Sequence, residues 1–322
     1  MDAKPAAPAD VFVHPQGLCE TSRVGARTRI WAFAHVLSGA TIGVDCNICD
    51  HVFIEDDVVV GDRVTVKSGV QLWNGVSLGD DVFVGPNATF SNDKYPRSKQ
   101  YQTQVSRTEI GRGASIGAGA VILPGVRVGS RAMIGAGAVV THDVPARAIV
   151  SGNPGRIVGY SDATRVNPIP TPVSSGRGEV PSSLGSVSGV SLHALTLVED
   201  LRGRLAAGEF VDQIPFQPKR FFLVFDVPGK EVRGEHAHRT CHQFLICLRG
   251  RVSIVVDDGR HAAEIGLDGP ELGVYVPPMI WTVQFRYSDD AMLLVLASEH
   301  YDPADYIRDY DEFLSGPMAG GR

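Results

Sequence analysis

Two histidines stand two residues apart in the stretch RGEHAHRTCHQFLICLRG, residues 233–250: His236 and His238. Side chains alternate along a β-strand, so on a strand both imidazoles point to one face. Imidazoles so placed can exchange protons near neutral pH, or bind a metal if further ligands join them. The following positions that could complete such a set hold His242 and Gln243. A second group sits in residues 91–109, which carry Asn92, Asp93, Lys94, Tyr95, Arg97 and Lys99. A loop that only needed to be soluble would not need this mixture of amide, acid and cation. Loops longer than about 12–15 residues are usually functional. His51 adds a third candidate, because neutral imidazole is the commonest general base near pH 7. Cys46 and Cys49 form a CxxC pair, but no second pair or His at zinc spacing completes a site, so they read as structural thiols.

The elements that must hold these residues announce themselves by period. Aliphatic residues recur every sixth position: Val24, Ile30, Val36, Ile42, Ile48, Ile54, Val60, Val66, Leu72, Leu78 and Val84, then Phe90. The register breaks at Ser91 and resumes through Ile110, Ile116, Ile122, Val128, Ile134 and Val140. A period of six fits neither a helix nor an ordinary strand. It predicts a parallel β-helix, each short strand sending one side chain inward before a corner. Gly follows the inward residue at positions such as 43, 61, 117 and 135, where a corner needs unusual φ or close backbone approach. The break at 91–109 is then an extruded loop.

The chain of 322 residues is long enough for two domains. Composition changes at 161–189, rich in Ser, Pro and Gly, which reads as a linker. Beyond it, β-prone runs at 220–227, 243–247, 252–256, 273–276, 282–287 and 292–297 alternate with turn signals, predicting an all-β sandwich or small barrel. Residues 303–314 read as helical. The expected division is therefore 11–160 solenoid, 161–189 linker and 190–316 barrel. Net charge is −6 with no basic block, which gives nucleic acid binding no support. No run of 18 apolar residues predicts a membrane span. Five cysteines, an odd number, and an N-terminus without an apolar core point to reduced thiols and a cytoplasmic protein.

The repeat resembles the left-handed β-helix of the hexapeptide-repeat acyltransferases. The segments WAFAHVLSGATIG (31–43), FSNDKYPRS (90–98) and VSGNPGRIVG (150–159) resemble the branch that acetylates amino groups on nucleotide-linked sugars. That resemblance implies acetyl-CoA as co-substrate. It puts the loop over a groove between adjacent subunits, with Asn92 orienting the amine and Asp93 or His51 accepting its proton. Backbone groups of Gly117, Ala118, Gly135 and Ala136 would line the pantetheine arm, with Pro154 and Arg156 near the adenine and phosphate end.

The second half resembles the cupins, through HxH followed by a turn Gly, and more closely the dTDP-sugar 3,4-ketoisomerases. IPFQPKRFF, RGEHAH, VPPMIW and LASEHYDPADYIRDYDEFL carry the likeness. A metal-binding cupin would have a carboxylate where Gln243 stands and another His near Trp281. An amide and an indole are poor ligands, so no metal is expected. The resemblance then implies acid–base chemistry by His236 and His238, with His236 favoured as principal base and the reverse order left open. Arg220 and Arg233 would hold the diphosphate, Gln243 would contact the sugar nucleotide, and Trp281 would wall the sugar or stack on the base.

Together these likenesses imply a bifunctional enzyme of dTDP-3-acetamido-3,6-dideoxyhexose formation, the galacto isomer favoured. Its partners would be dTDP-sugars, a separate PLP aminotransferase and further copies of itself, as a trimer or, with paired cupins, a hexamer. Competing expectations are an acetyltransferase with a non-catalytic sugar-binding cupin, a cupin epimerase, and a carbohydrate-binding scaffold.

Overall fold

A computed structural model describes residues 10–100, 104–166, 182–184, 187–228 and 231–316. The chain forms two compact units, Met1–Ser161 and Asp162–Arg322.

The first unit is a parallel β-helix of three sheets, with nine, seven and five strands. Its strands are mostly two residues long, and each pairs in register with the strand one coil on: Phe53↔Gln71 and Gln71↔Thr89, for example. The sixfold aliphatic column is the core, from Val24 through Phe90 to Val140. A second buried column lies two residues earlier in each repeat, with Ala34, Ala40, Val52, Val64, Ala120 and Ala138. Cys46 belongs to this column, and its thiol donates to the Gly61 carbonyl at 3.1 Å. Burial pushes the Cys46 and Cys49 thiols up, so both stay protonated, as structural thiols should.

The structure selects one of the two corner needs that the sequence allows. Gly after the inward residue serves close approach, not unusual φ: a Cβ on Gly117 would lie 2.5 Å from the Ala136 nitrogen. Positive φ falls two residues later, at Phe33, His51, Arg63, Gly69, Asn87 and Gly119.

The second unit packs two six-stranded sheets around one core. Val252, Ile254, Val256, Ala263 and Ile265 come from one sheet, and Leu245, Cys247, Val274, Leu293 and Val295 from the other. Antiparallel pairing dominates. A hairpin, Thr196–Asp200 with Gly203–Ala207, forms a separate two-stranded sheet. Part of the stretch expected to be linker is strand instead: Ala163–Val166 pairs in parallel with Ala262–Leu267, and Arg165 reaches the buried Glu264 carboxylate at 3.2 Å. Ser182–Ser183 also pairs, with Ser191–Ala194. The rest of that stretch, residues 167–181 and 185–186, lies outside the described residues.

The helix expected over 303–314 is also shorter. Asp302 caps a 3-10 turn, Pro303–Asp305, a strand Tyr306–Ile307 follows, and only Tyr310–Ser315 is α-helix. Asp309 stops any longer helix by capping this one, accepting from the Glu312 N–H.

Candidate functional site

The strand Arg233–His238 carries the two histidines, and a bulge aims them. Pairing with Trp281–Phe285 shifts between Gly234 and His236, and the intervening Glu235 has φ 53°. Gly234 is required there: its φ is 86°, and a Cβ would stand 2.8 Å from the Thr282 carbonyl oxygen. Beyond the bulge, the His236 and His238 rings meet edge to face with centroids 4.9 Å apart.

Their hydrogen bonds differ. Nδ1 of His236 lies 2.7 Å from the Gly234 carbonyl oxygen, which can only accept. His236 is therefore an Nδ1–H tautomer whose Nε2 lone pair has no partner among the described residues. Nδ1 of His238 donates to Asp305 Oδ2 at 2.8 Å, and its Nε2 accepts from the Gln243 amide at 3.0 Å. Both nitrogens of His238 are engaged. Burial pushes His236 down to about 4, with His238 and Arg308 adding to the effect against the Gly234 bond. Burial also lowers His238, and Asp305 opposes it only in part. Burial would raise the Asp305 carboxyl, but the Thr240 and His238 hydrogen bonds outweigh it and leave it lowered. The pair is thus a neutral imidazole donating to a carboxylate, not two full charges.

Cations and aromatic rings surround this pair. Arg220 begins the strand Arg220–Phe225 on its inward face, with Phe222 and Val224. Its guanidinium lies 5.4 Å from the ring centres of Phe222 and Tyr301, and its buried Nε has no hydrogen-bond partner among the described residues. Such an atom is costly without an acceptor and points to an anionic ligand. Tyr306 packs on both imidazoles, at 4.9 and 4.4 Å, with Arg308 over its ring at 4.5 Å. Arg233 is exposed at the start of its strand, opposite Gln284.

Two expected sugar-nucleotide ligands have other partners in the structure. Gln243 is buried against His238 and serves that imidazole. Trp281 neighbours Thr282, which pairs with His236, so alternation turns it to the other face of the sheet. There it packs on Tyr310 and Phe313 of the terminal helix, because a large apolar ring gains more by covering that helix. Sequence reasoning missed Asp305, Tyr306 and Arg308. Their stretch, DYIRDYDEF, was visible, but its apparent helical character hid the strand that brings them to the histidines. His238, Cys241 and Asp305 also present ligand atoms within 4.8 Å of one another, although His238 Nδ1 and Asp305 already share a proton there.

In the solenoid the loop leaves after Thr89–Phe90 and returns at Thr108–Ile110, replacing a corner between the seven- and five-stranded sheets. Asn92 and Asp93 are half-buried at its base. Asp93 accepts from the Tyr95 N–H at 2.8 Å, whereas Asn92 makes no hydrogen bond among the described residues. Gly117, Ala118, Gly135 and Ala136 occupy a different corner, between the nine- and seven-stranded sheets. The Gly117 and Gly135 N–H groups are held in the ladder by the Ile134 and Val150 carbonyls. Ala118 and Ala136 are exposed residues whose N–H groups have no partner among the described residues. His51 shares that second corner, exposed and stacked on Phe33 at 4.9 Å. It lies two ladder steps from the strand that precedes Asn92, roughly 10 Å along the axis, and at the opposite corner. One solenoid therefore does not bring His51 to Asn92 and Asp93. Pro154 is exposed and Arg156 half-buried, bonded to the Gly155 carbonyl, beyond the last full coil.

Comparison with known proteins agrees with both halves. Residues 188–317 match the family described as WxcM-like, C-terminal. Residues 107–142 match bacterial transferase hexapeptide repeats, and 51–89 the hexapeptide repeat of succinyl-transferase. The TDP-4-oxo-6-deoxy-alpha-D-glucose-3,4-oxoisomerase of Aneurinibacillus thermoaerophilus is 46% identical over 114 residues, 35% of this chain and 82% of that protein. The dTDP-3-amino-3,6-dideoxy-alpha-D-galactopyranose 3-N-acetyltransferase of the same organism is 56% identical over 149 residues, 46% of this chain and 78% of that one. Among solved structures, the sugar 3,4-ketoisomerase QdtA from Thermoanaerobacterium thermosaccharolyticum, in complex with TDP, is 38% identical, with a TM-score of 0.39 over 40% of this chain and 93% of its own. The chain belongs to the WxcM-like proteins through its C-terminal unit and to the hexapeptide-repeat transferases through its solenoid.

Proposed function

We propose that the chain is a bifunctional enzyme of dTDP-sugar metabolism, a 3,4-ketoisomerase joined to an acetyl-CoA-dependent N-acetyltransferase. The isomerase acts on dTDP-4-keto-6-deoxyglucose. The C4 ketone acidifies the C3 proton, and His236 Nε2 removes it. The electron pair left at C3 forms the enediolate, and the proton of the C3 hydroxyl passes to the adjacent C4 oxygen. The C3 oxygen becomes the new ketone as C4 takes the proton from the imidazolium. No oxidant is needed, since one carbon is oxidised as its neighbour is reduced. Arg220, with its unpartnered Nε, is the preferred diphosphate ligand, and Arg233 is a second at the rim.

The acetyl step joins the sugar amine to the thioester carbonyl and breaks the C–S bond, releasing coenzyme A thiol. Asn92 orients the amine. The free Ala118 and Ala136 N–H groups can bond the amides of the pantetheine arm, and Arg156 the phosphate end. Asp93, beside Asn92 at the loop base, or His51, at the pantetheine corner, accepts the amine's proton. The loop and the pantetheine corner are different corners of one solenoid, which supports a trimer whose sites are shared between neighbours. Between the two reactions a ketone must become an amine, so a separate PLP aminotransferase stands between them. The five free cysteines support a cytoplasmic setting. Among the described residues no helix is long and apolar enough to cross a membrane. Isomerisation is metal-free, because Gln243 takes the place of a carboxylate ligand and bonds His238 directly.

The observation that carries the reading is a neutral His236 whose Nε2 has no partner among the described residues, together with an Arg220 near His238 whose buried Nε has none either. His236→Asn should lower C3 proton exchange at least about 100-fold, the usual scale of a general base, and leave acetylation of a supplied 3-amino sugar intact. Unchanged exchange would remove His236 from the mechanism. A chelator should change neither activity. Loss that a divalent ion restores would overturn the metal-free assignment.

A further inference from the structure

The isomerase reading, on which this inference rests, leaves the two histidines with the same apparent task. We propose that Asp305 is a positioning residue that fixes His238 as the Nδ1–H tautomer, so that His236 alone offers a free lone pair to the substrate.

The geometry supports this from four sides. The strand Tyr306–Ile307 pairs antiparallel with Ala237 and His238, which brings residue 305 to the imidazole. Asp305 Oδ2 receives the His238 Nδ1–H at 2.8 Å, and both side chains are nearly buried, 6% and 11% exposed. Asp305 itself cannot turn away: its Oδ1 accepts from the Thr240 N–H at 2.7 Å and the Thr240 hydroxyl at 2.8 Å. On the far side of the ring, Gln243 donates to Nε2 at 3.0 Å. A carboxylate only accepts, so His238 must carry its proton on Nδ1. Its Nε2 lone pair is then taken by the amide. A buried carboxylate on one imidazole nitrogen fixes both tautomer and ring orientation. When His236 holds the substrate proton as imidazolium, the Asp305 carboxylate lies one imidazole away, behind His238.

The two carboxylate oxygens are unequally loaded. Oδ1 serves the Thr240 turn, while Oδ2 accepts from His238 at 2.8 Å and from the Cys241 N–H at a longer 3.3 Å, so thermal unfolding must report the structural share of any loss. Asp305→Asn can keep an acceptor for Thr240 while presenting N–H to His238. That should force His238 to the Nε2–H tautomer and require Gln243 to turn its carbonyl towards the ring. The test is nitrogen-15 NMR of the imidazoles in the full chain, wild type and Asp305→Asn, with isomerase kinetics and thermal unfolding on the same samples. The expected result is a switch of the His238 proton from Nδ1 to Nε2, a kcat for isomerisation lower by roughly 10²-fold or more with KM little changed, and acetyl transfer unchanged. Asp305→Glu, which restores the carboxylate, should recover the Nδ1–H signal and part of kcat. A His238 tautomer that does not change in Asp305→Asn overturns the proposal, even if activity falls, because the aspartate would then be only structural. A switched tautomer with unchanged kcat overturns it too. If the wild-type chain shows no isomerase activity, the functional reading fails, while the NMR result still decides whether Asp305 sets His238.

Discussion

At the scale of single residues, the two imidazoles of the HxH pair are set apart by what their Nδ1 atoms meet. His236 faces a backbone carbonyl and keeps Nε2 free, while His238 is held between Asp305 and Gln243. Burial also moves the pH at which His236 works. Its pKa falls from 6.5 to about 4, so the base is neutral across the range in which an unburied histidine would titrate. Isomerase kcat/KM should therefore show no acid limb near pH 6.5, and the loss assigned to His236 should come only near pH 4. A limb with its midpoint at 6.5 would show that the ring titrates in contact with water. Stability follows the same shift. An unfolded chain binds the His236 proton below about pH 6.5, whereas the folded one binds it only near 4. The contribution is thus complete above 6.5 and is lost as pH falls through that window. Burial lowers His238 too, in the same direction. Thermal unfolding of the second unit should accordingly move to lower temperature between pH 6.5 and 4.

At the scale of elements, the solenoid was legible because its period is strict and local. Each inward residue from Val24 to Val140 is buried, since every coil repeats the same corner geometry. Phe90 is the one aromatic in that column, filling the interior where the loop departs, and it is 1% exposed. Phe90→Ala should cost about 3–5 kcal/mol, read from urea unfolding followed by a probe in the first unit. A change below about 1 kcal/mol would mean that the coil collapses over the gap. The barrel was legible as β-prone runs, and Met292–Ala297 falls where the sequence put it. What was not legible came from distant pairing. Nothing local shows that Ala163–Val166 joins a strand a hundred residues on, or that Tyr306–Ile307 lies beside His238. The same limit explains the site. His236, His238 and Arg220 sit in recognisable words, whereas Asp305 and Tyr306 gain their meaning only from a cross-strand contact. Trp281 was misplaced because the bulge at Glu235 and the cover by Tyr310 set which face it takes.

At the scale of the whole molecule, one chain carries two units whose proposed reactions are not consecutive, with an amination between them. In the proposed acetyltransferase site the amine loop and the pantetheine residues lie at separate corners of one solenoid, so the proposal calls for a neighbouring solenoid to complete it. Light scattering should give a mass near three chains, or six if the second units pair. A monomer with full acetyltransferase activity would contradict shared sites. The central claim is that this chain performs both ends of the sequence. Its most direct test supplies dTDP-4-keto-6-deoxyglucose, a sugar aminotransferase with PLP and glutamate, and acetyl-CoA in D₂O, with this chain as the only isomerase and acetyltransferase present. NMR of the product should show a dTDP-3-acetamido-3,6-dideoxyhexose with solvent deuterium introduced in the C3–C4 exchange, formed only when the chain is added. A product that remains a 4-keto sugar, or a 3-amino sugar that is never acetylated, would contradict the account.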